Sequence, residues 1–183
     1  MEMADIVTIS KFLSLILRHN PSKIGLTLDS QGWVSIHDLL EKANAHGKQI
    51  SRQLLDRVVA ENDKKRFAIS DDGHRIRASQ GHSVEIDLAL SPQVPPEFLF
   101  HGTASRFVDS ILQTGLNSGN RQHVHLSIDQ ATALKVGQRH GKPVVLVVRA
   151  GEMARSDFKF FLSDNGVWLT DSVPPAFISQ PDF

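Results

Sequence analysis

Apolar positions in the first part of the chain follow two periods. Ile9, Phe12, Leu13, Ile16 and Leu17 recur at i, i+3, i+4, i+7 and i+8, which predicts an amphipathic helix with one buried face. It must stop at Arg18-His19-Asn20-Pro21, because the residue before a proline avoids the helical region. Gly25 to Ile36 is turn-rich, with Asp29-Ser30-Gln31-Gly32 as its clearest turn. A second helix follows with Leu39, Leu40 and Ala43 inward and Gly47 as its stop. Ser51 can cap a third helix that buries Leu54, Leu55, Val58 and Val59. The period then shortens to two. Lys65 to Ser70 and Arg75 to Ala78 flank Asp71-Asp72-Gly73-His74, a β-hairpin pattern. Val84 to Leu90 is read as one more strand.

Three helices and a hairpin are the order of a winged-helix module, a type that often binds nucleic acid through helix and wing. Lys64, Lys65, Arg66, Arg75 and Arg77 cluster on the hairpin. They fit phosphate contacts and, equally, an edge strand kept from pairing by its charges. Arg18 and His19 fit the negative end of the first helix's dipole. Ser91-Pro92-Gln93-Val94-Pro95-Pro96 cannot continue a helix and reads as a linker.

Beyond it the pattern changes to short strands. Phe98 to Phe100 is a strand that stops at His101-Gly102-Thr103. Ser105 is placed to cap a helix burying Phe107, Val108, Ile111 and Leu112, ended by Gly115. Arg121 to Ser127 alternates like a strand. Asp129 to Gln138 is helical, with Ala131, Leu134 and Val136 as its apolar positions. Pro143 to Val148 is a β-branched run suited to a central buried strand. Phe158 to Leu162, Gly166 to Thr170 and Ala176 to Ser179 complete an α+β lobe dominated by sheet.

Composition narrows the chemistry. The absence of cysteine excludes disulfides, cysteine-held zinc and thiol nucleophiles, and fits a reducing compartment. The acidic start runs into a helical pattern rather than a signal peptide, and no apolar run has membrane-spanning length. A cytoplasmic protein is expected, with no membrane partner. Twenty basic side chains balance twenty acidic ones, so any nucleic-acid partner must be held by a local patch. GxGxxG, Walker A and GxSxG motifs are all missing. His123 and His125 have the spacing of a strand-borne ligand pair, but no third ligand is evident, and no metal is expected. Imidazoles, hydroxyls, a glycine and Arg121 between Leu99 and Ser127 suit a ligand rich in ribose hydroxyls and phosphates.

Six segments occur in one order: Leu17-Arg18-His19-Asn20-Pro21, Lys65-Arg66-Phe67, Gln80-Gly81-His82-Ser83, Phe100-His101-Gly102-Thr103, Arg121-Gln122-His123-Val124-His125-Leu126-Ser127 and Gly166-Val167-Trp168-Leu169-Thr170. Together they make the chain similar to the RNA 2′-phosphotransferase family, the tRNA splicing 2′-phosphotransferases, in its bacterial form. The resemblance covers nearly the whole chain. It implies a winged-helix RNA-binding lobe over residues 1–83, a linker over 84–94 and an NAD-binding lobe of ADP-ribosyltransferase fold over 95–183. It also implies metal-free, NAD-consuming removal of an internal RNA 2′-phosphate in two steps. A phosphate oxygen first displaces nicotinamide from NAD. The adjacent ribose 2″-hydroxyl then attacks the phosphorus, giving RNA with a free 2′-hydroxyl and ADP-ribose 1″,2″-cyclic phosphate.

By motif, the family's catalytic tetrad falls on Arg18, His19, Arg66 and Arg121. NAD contacts fall on His101, Gly102, Thr103, His125 and Ser127. Phe100 stands where many relatives carry tyrosine, and Val167 where protein ADP-ribosyltransferases carry a catalytic glutamate. The roles have physical sense. Arginine forks hold two phosphate oxygens and stay charged, and an imidazole titrates near neutral pH. A phosphate oxygen is already anionic, so the first step needs positioning more than a general base.

The expected partner is 2′-phosphorylated RNA, the expected state a monomer, and the setting tRNA splicing or RNA repair. Two rival readings remain at this point. One is an ADP-ribosyltransferase that caps terminal nucleic-acid phosphates and stops after the first step. The other is a non-catalytic nucleic-acid-binding protein that senses NAD.

Overall fold

The computed structural model describes residues 2–181, with side chains from residue 6 onward. The chain forms two compact units, residues 1–89 and 90–183. Both mix helices with small antiparallel sheets, an α+β class. No helix among the described residues is long and apolar enough to cross a membrane.

The first unit is built on helix α1 (Glu2–Arg18), whose Leu13, Ile16 and Leu17 are fully buried. A 3-10 turn at Pro21–Ile24 follows, capped by the Asn20 side chain and closed by Gly25 in the left-handed region. Strand β1 (Val34–Ser35), α2 (Ile36–Ala45) and α3 (Arg52–Ala60) come next. Ser35 and Ser51 cap the two helices through their hydroxyls. Strands β2 (Phe67–Ile69) and β3 (Arg75–Ala78) form the expected hairpin, and β1 pairs on the far edge of β3. That third strand lies in the segment read as turns. Its two ladder positions are too few to show a period.

Two readings of this unit are corrected. Val84 to Leu90 is not a strand: its backbone joins no ladder, although Ile86 and Leu88 are buried. The alternation there reports burial on one side of an extended segment, anchored where Asp87 N–H donates to the Ser30 carbonyl. The hairpin cations also do not act as one patch. Arg77 is buried with its guanidinium 4.6 Å from the Trp33 ring centre, and Arg75 stacks on the same ring at 5.5 Å. Cation–π contact and packing engage these two.

In the second unit β4 (Leu99–Ala104) runs beside β7 (Pro143–Val148), and β11 (Ile178–Ser179) pairs on β7's other side. β7 is central, as its β-branched run predicts, but only its Leu146 and Val148 are buried and the rest is half-buried. β4 does not stop at Phe100 but continues through His101-Gly102-Thr103, which pair with Leu146, Val145 and Val144. Helix α4 (Val108–Thr114) is preceded by a 3-10 turn at Ser105–Phe107, and the Ser105 side chain makes no cap. Phe107 lies exposed rather than buried. β5 (Leu116–Asn117) follows Gly115, and β6 (Val124–Leu126) occupies only the end of the alternating stretch.

Helix α5 (Gln130–Gly137) is capped by Asp129. It turns Ala133 and Gly137 inward, while Ala131 and Leu134 are exposed and Val136 is half-buried. The inward face is therefore small-residue, not the apolar triplet expected. After α6 (Ala150–Arg155), β8 (Phe161–Leu162) and β9 (Trp168–Thr170) form a sheet with β6, and β10 (Ser172–Val173) pairs with β5. The core gathers Leu99, Leu126, Leu146, Val148, Met153, Phe160 and Trp168.

The small face of α5 has a cause. A β-carbon placed on Gly102 would lie 1.7 Å from the Ala133 carbonyl oxygen, and one on Gly137 would lie 2.7 Å from the Thr103 carbonyl oxygen. Strand and helix touch backbone to backbone, and neither clash can be relieved by a side-chain rotation. Gly102→Ala is expected to destabilise this unit by about 3 kcal/mol or more. A chemical denaturation midpoint equal to that of the unsubstituted chain would refute this close packing.

Candidate functional site

In the first unit, the end of α1 and the loop before β2 line one cavity of about 550 Å³. Arg18, His19 and Arg66 all line it, together with Lys11, Lys64, Glu61 and Asp63. Three of the four tetrad candidates are therefore gathered in one place, although 48 residues separate Arg18 from Arg66 in sequence. An anion entering would meet two guanidiniums and an imidazole, the donor set that suits a phosphate.

Each of these residues is held by a neighbour that sequence reasoning did not single out. Asn62 is buried. Its Oδ1 accepts from Arg66 Nη1 at 3.4 Å and from Lys64 N–H at 3.2 Å, and its Nδ2 donates to Ser10 Oγ on α1 at 3.1 Å. One amide thus ties the Arg66 loop to the helix that carries Arg18. Ser79 N–H donates to the Arg66 carbonyl at 2.8 Å. At the helix end, Ser83 N–H and Val84 N–H both donate to the Arg18 carbonyl, at 2.9 and 3.3 Å. The Ser83 hydroxyl meets His19 Nδ1 at 2.9 Å. The sequence signal was the Gln80-Gly81-His82-Ser83 motif, which carried a resemblance but no role.

His82, just before it in the chain, is buried, and its Nε2 finds no hydrogen-bond partner among the described residues. Burial, and then the charges of Arg18, Arg77 and His19, push its pKa down to about 4. A neutral ring is thereby kept close to two guanidiniums.

In the second unit, β4 and β6 are brought together by an isolated bridge. Phe100 N–H donates to the Ser127 carbonyl at 2.9 Å, and Ser127 N–H returns to the Phe100 carbonyl at 2.7 Å. His101 Nδ1 lies 3.2 Å from the His125 carbonyl oxygen. A carbonyl only accepts, so Nδ1 carries the hydrogen. Burial holds the His101 pKa below its usual value, which keeps the ring neutral. Its Nε2 is then an acceptor, suited to a sugar hydroxyl. Arg121 Nη1 is 3.0 Å from His125 Nδ1. Guanidinium only donates, so that imidazole nitrogen accepts.

Strand alternation fixes what Gly102 offers. Phe100 spends both backbone groups on Ser127, so His101 and Thr103 bond toward β7 and Gly102 turns its N–H and C=O the other way. That donor and acceptor pair belongs to a buried residue. Thr103 is buried, whereas Ser127 is half-buried with its backbone committed to Phe100. The five residues named for NAD are adjacent on β4 and β6 or directly after them, with Arg121 just ahead of β6. His123 lies before β6, against the Phe161 ring and 3.8 Å from Asp171. Val167 sits in a turn closed by Ser163, whose hydroxyl accepts from Val167 N–H at 3.0 Å.

Comparison with known proteins agrees over almost the full length. The model of the family described as RNA 2′-phosphotransferase, Tpt1/KptA family, matches residues 4–172. A protein of Agrobacterium fabrum named probable RNA 2′-phosphotransferase is 61% identical over 170 residues, 93% of this chain and 91% of that protein. Proteins of the same name from Flavobacterium johnsoniae and Pectobacterium carotovorum are each 55% identical. The first match covers 93% of this chain and 94% of that relative, the second 96% and 95%.

The His82 pKa makes stability depend on pH with a definite sign. Unfolded, the ring binds a proton near its ordinary value of 6.5; folded, only near 4. The unfolded state therefore holds more protons between these values, and stability falls as pH drops through that window, by up to about 1.4 kcal/mol per pH unit. Above pH 6.5 the effect vanishes. His82→Gln should flatten this part of the urea-midpoint profile relative to the unsubstituted chain. Parallel profiles would exclude the buried neutral ring as the source.

Proposed function

We propose the following for this chain, which belongs to the RNA 2′-phosphotransferase family: it removes an internal 2′-phosphate from RNA, consuming NAD in two steps. The observation that carries this reading is the convergence of Arg18, His19 and Arg66 on one cavity. The neutral His101 supports NAD as co-substrate, since ribose hydroxyls need an acceptor. The order α1, β1, α2, α3, β2, β3, with β3 central in its sheet, supports a winged-helix reading of the first unit. The layered short sheets around β4 and β7 support an ADP-ribosyltransferase reading of the second.

In the first step a 2′-phosphate oxygen attacks the anomeric carbon of the nicotinamide ribose, and nicotinamide leaves with the bonding pair. Arg18, His19 and Arg66 hold the phosphate. His101 Nε2 accepts from a ribose hydroxyl, and Gly102 pairs with the carboxamide. Thr103, His125 and Ser127 complete the ribose and nicotinamide contacts. In the second step the ribose 2″-hydroxyl attacks phosphorus and the RNA 2′-oxygen leaves, taking a proton. The hydroxyl's own proton is lost as the cyclic phosphate closes. Charge crowds on the phosphoryl oxygens in this second step, where Arg121 adds a further guanidinium.

Incubation with NAD and an RNA bearing one internal 2′-phosphate, followed by resolution of products, tests the reading. Dephosphorylated RNA and ADP-ribose 1″,2″-cyclic phosphate are expected. RNA that retains ADP-ribose as an end product would support a capping transferase instead, and RNA left unchanged would overturn the enzymatic reading. Arg121→Ala should slow the second step roughly 100-fold, more than the first, and so accumulate ADP-ribosylated RNA. A variant with measurable turnover and no such intermediate would contradict that role.

A further inference from the structure

We propose that Ser83 is a positioning residue for His19, holding its imidazole in the working orientation through Nδ1. The inference rests on the reading of His19 as part of the phosphate site. It concerns a residue to which that reading gives no task.

Three observations carry it. Ser83 Oγ is 2.9 Å from His19 Nδ1 although the residues are 64 apart in sequence. The same residue's N–H donates to the carbonyl of Arg18 at 2.9 Å, so the hydroxyl is anchored to the very helix end it serves. On either side the chain is pinned: Gly81 and His82 are buried, Gly81 has a φ of +86°, and Val84 N–H shares the Arg18 carbonyl. The segment thus presents one hydroxyl to one ring nitrogen from a fixed backbone.

A hydroxyl has a property that a carboxylate or a carbonyl lacks. It donates to a bare Nδ1 and, by rotating its hydrogen, accepts from a protonated one. Ser83 therefore holds the ring in both charge states. An aspartate in its place would favour the imidazolium, and an alanine would remove the contact to Nδ1. Arg18, Arg66, Lys11, Lys64, Glu61 and Asp63 line the cavity with His19, and His82 lies within range of its charge. These charges are common to every variant below, so differences between variants report position 83. Ser83 is solvent-exposed, so the substitutions leave the core packing intact.

The test is steady-state kinetics on the full chain with 2′-phosphorylated RNA and NAD, joined to an imidazole NMR titration of His19. Ser83→Ala should lower kcat roughly tenfold, the scale on which loss of an orienting partner shows, with KM for NAD unchanged. Ser83→Thr, which keeps the hydroxyl, should restore kcat to within about twofold. Ser83→Asp should move the His19 titration and the matching limb of the pH–rate profile to higher pH. Unchanged kcat in Ser83→Ala, a Thr variant as impaired as the Ala variant, or a His19 titration indifferent to Asp would each overturn the proposal. Should the unsubstituted chain fail to turn over this RNA, the functional reading falls. The NMR titration alone then decides whether Ser83 governs the His19 ring.

Discussion

The first unit turns on one backbone carbonyl. A helix ends with carbonyls that lack intrahelical partners, and α1 ends at Arg18, just past the last residue of its apolar stripe, because Pro21 forbids continuation. The Arg18 carbonyl is met by two N–H groups from a segment more than sixty residues away. That single acceptor converts a fraying helix end into a fixed platform. Arg18 and His19 inherit their positions from it, and Asn62 extends the same logic to Arg66 by hydrogen-bonding α1, the loop and the guanidinium at once. The cations around the cavity repel one another, an effect that Glu61 and Asp63 on its wall offset in part. Here they stay in place because neutral amides, hydroxyls and carbonyls hold them.

The second unit solves a different problem with the same economy. A strand has two hydrogen-bonding edges, and β4 divides them. One edge is spent on β7, while the other is spent on Ser127 at Phe100 and carries the backbone groups of buried Gly102. The histidine between these points has its tautomer decided by a carbonyl on the neighbouring strand. The polarity of His101 is set by backbone geometry.

Much of this was legible in the sequence where burial follows a period. α1, α2 and α3 show it, because each buries a regular stripe against a core, while turn chemistry marked the hairpin and a β-branched run marked β7. Legibility failed where packing is carried by something other than apolar side chains. α5 meets β4 through Gly102, Ala133 and Gly137, so its apolar Leu134 points outward and its true inner face looks nondescript in sequence. β4 runs on through polar residues that a hydrophobic pattern reads as its end. Ile86 and Leu88 alternate like a strand and are buried like one, yet their backbone pairs with no ladder. α6 spans only six residues and contains a glycine, too little to register as a helix. For the site, motif spacing reached the residues with distinctive chemistry. It passed over Asn62 and Ser83, whose importance lies in which atoms they touch.

The backbone-to-backbone seam between β4 and α5 has a mechanical consequence. Interfaces made of side chains yield by rotamer changes, and so act as cushions between secondary structures. Here strand and helix meet with no cushion at Gly102, so neither slides nor tilts without breaking peptide contacts. The edge that Gly102 presents is consequently stiff. In the proposed reaction, a flexible dinucleotide docking there would adjust through its own torsions, and the entropy lost on binding would fall on the ligand rather than on the protein.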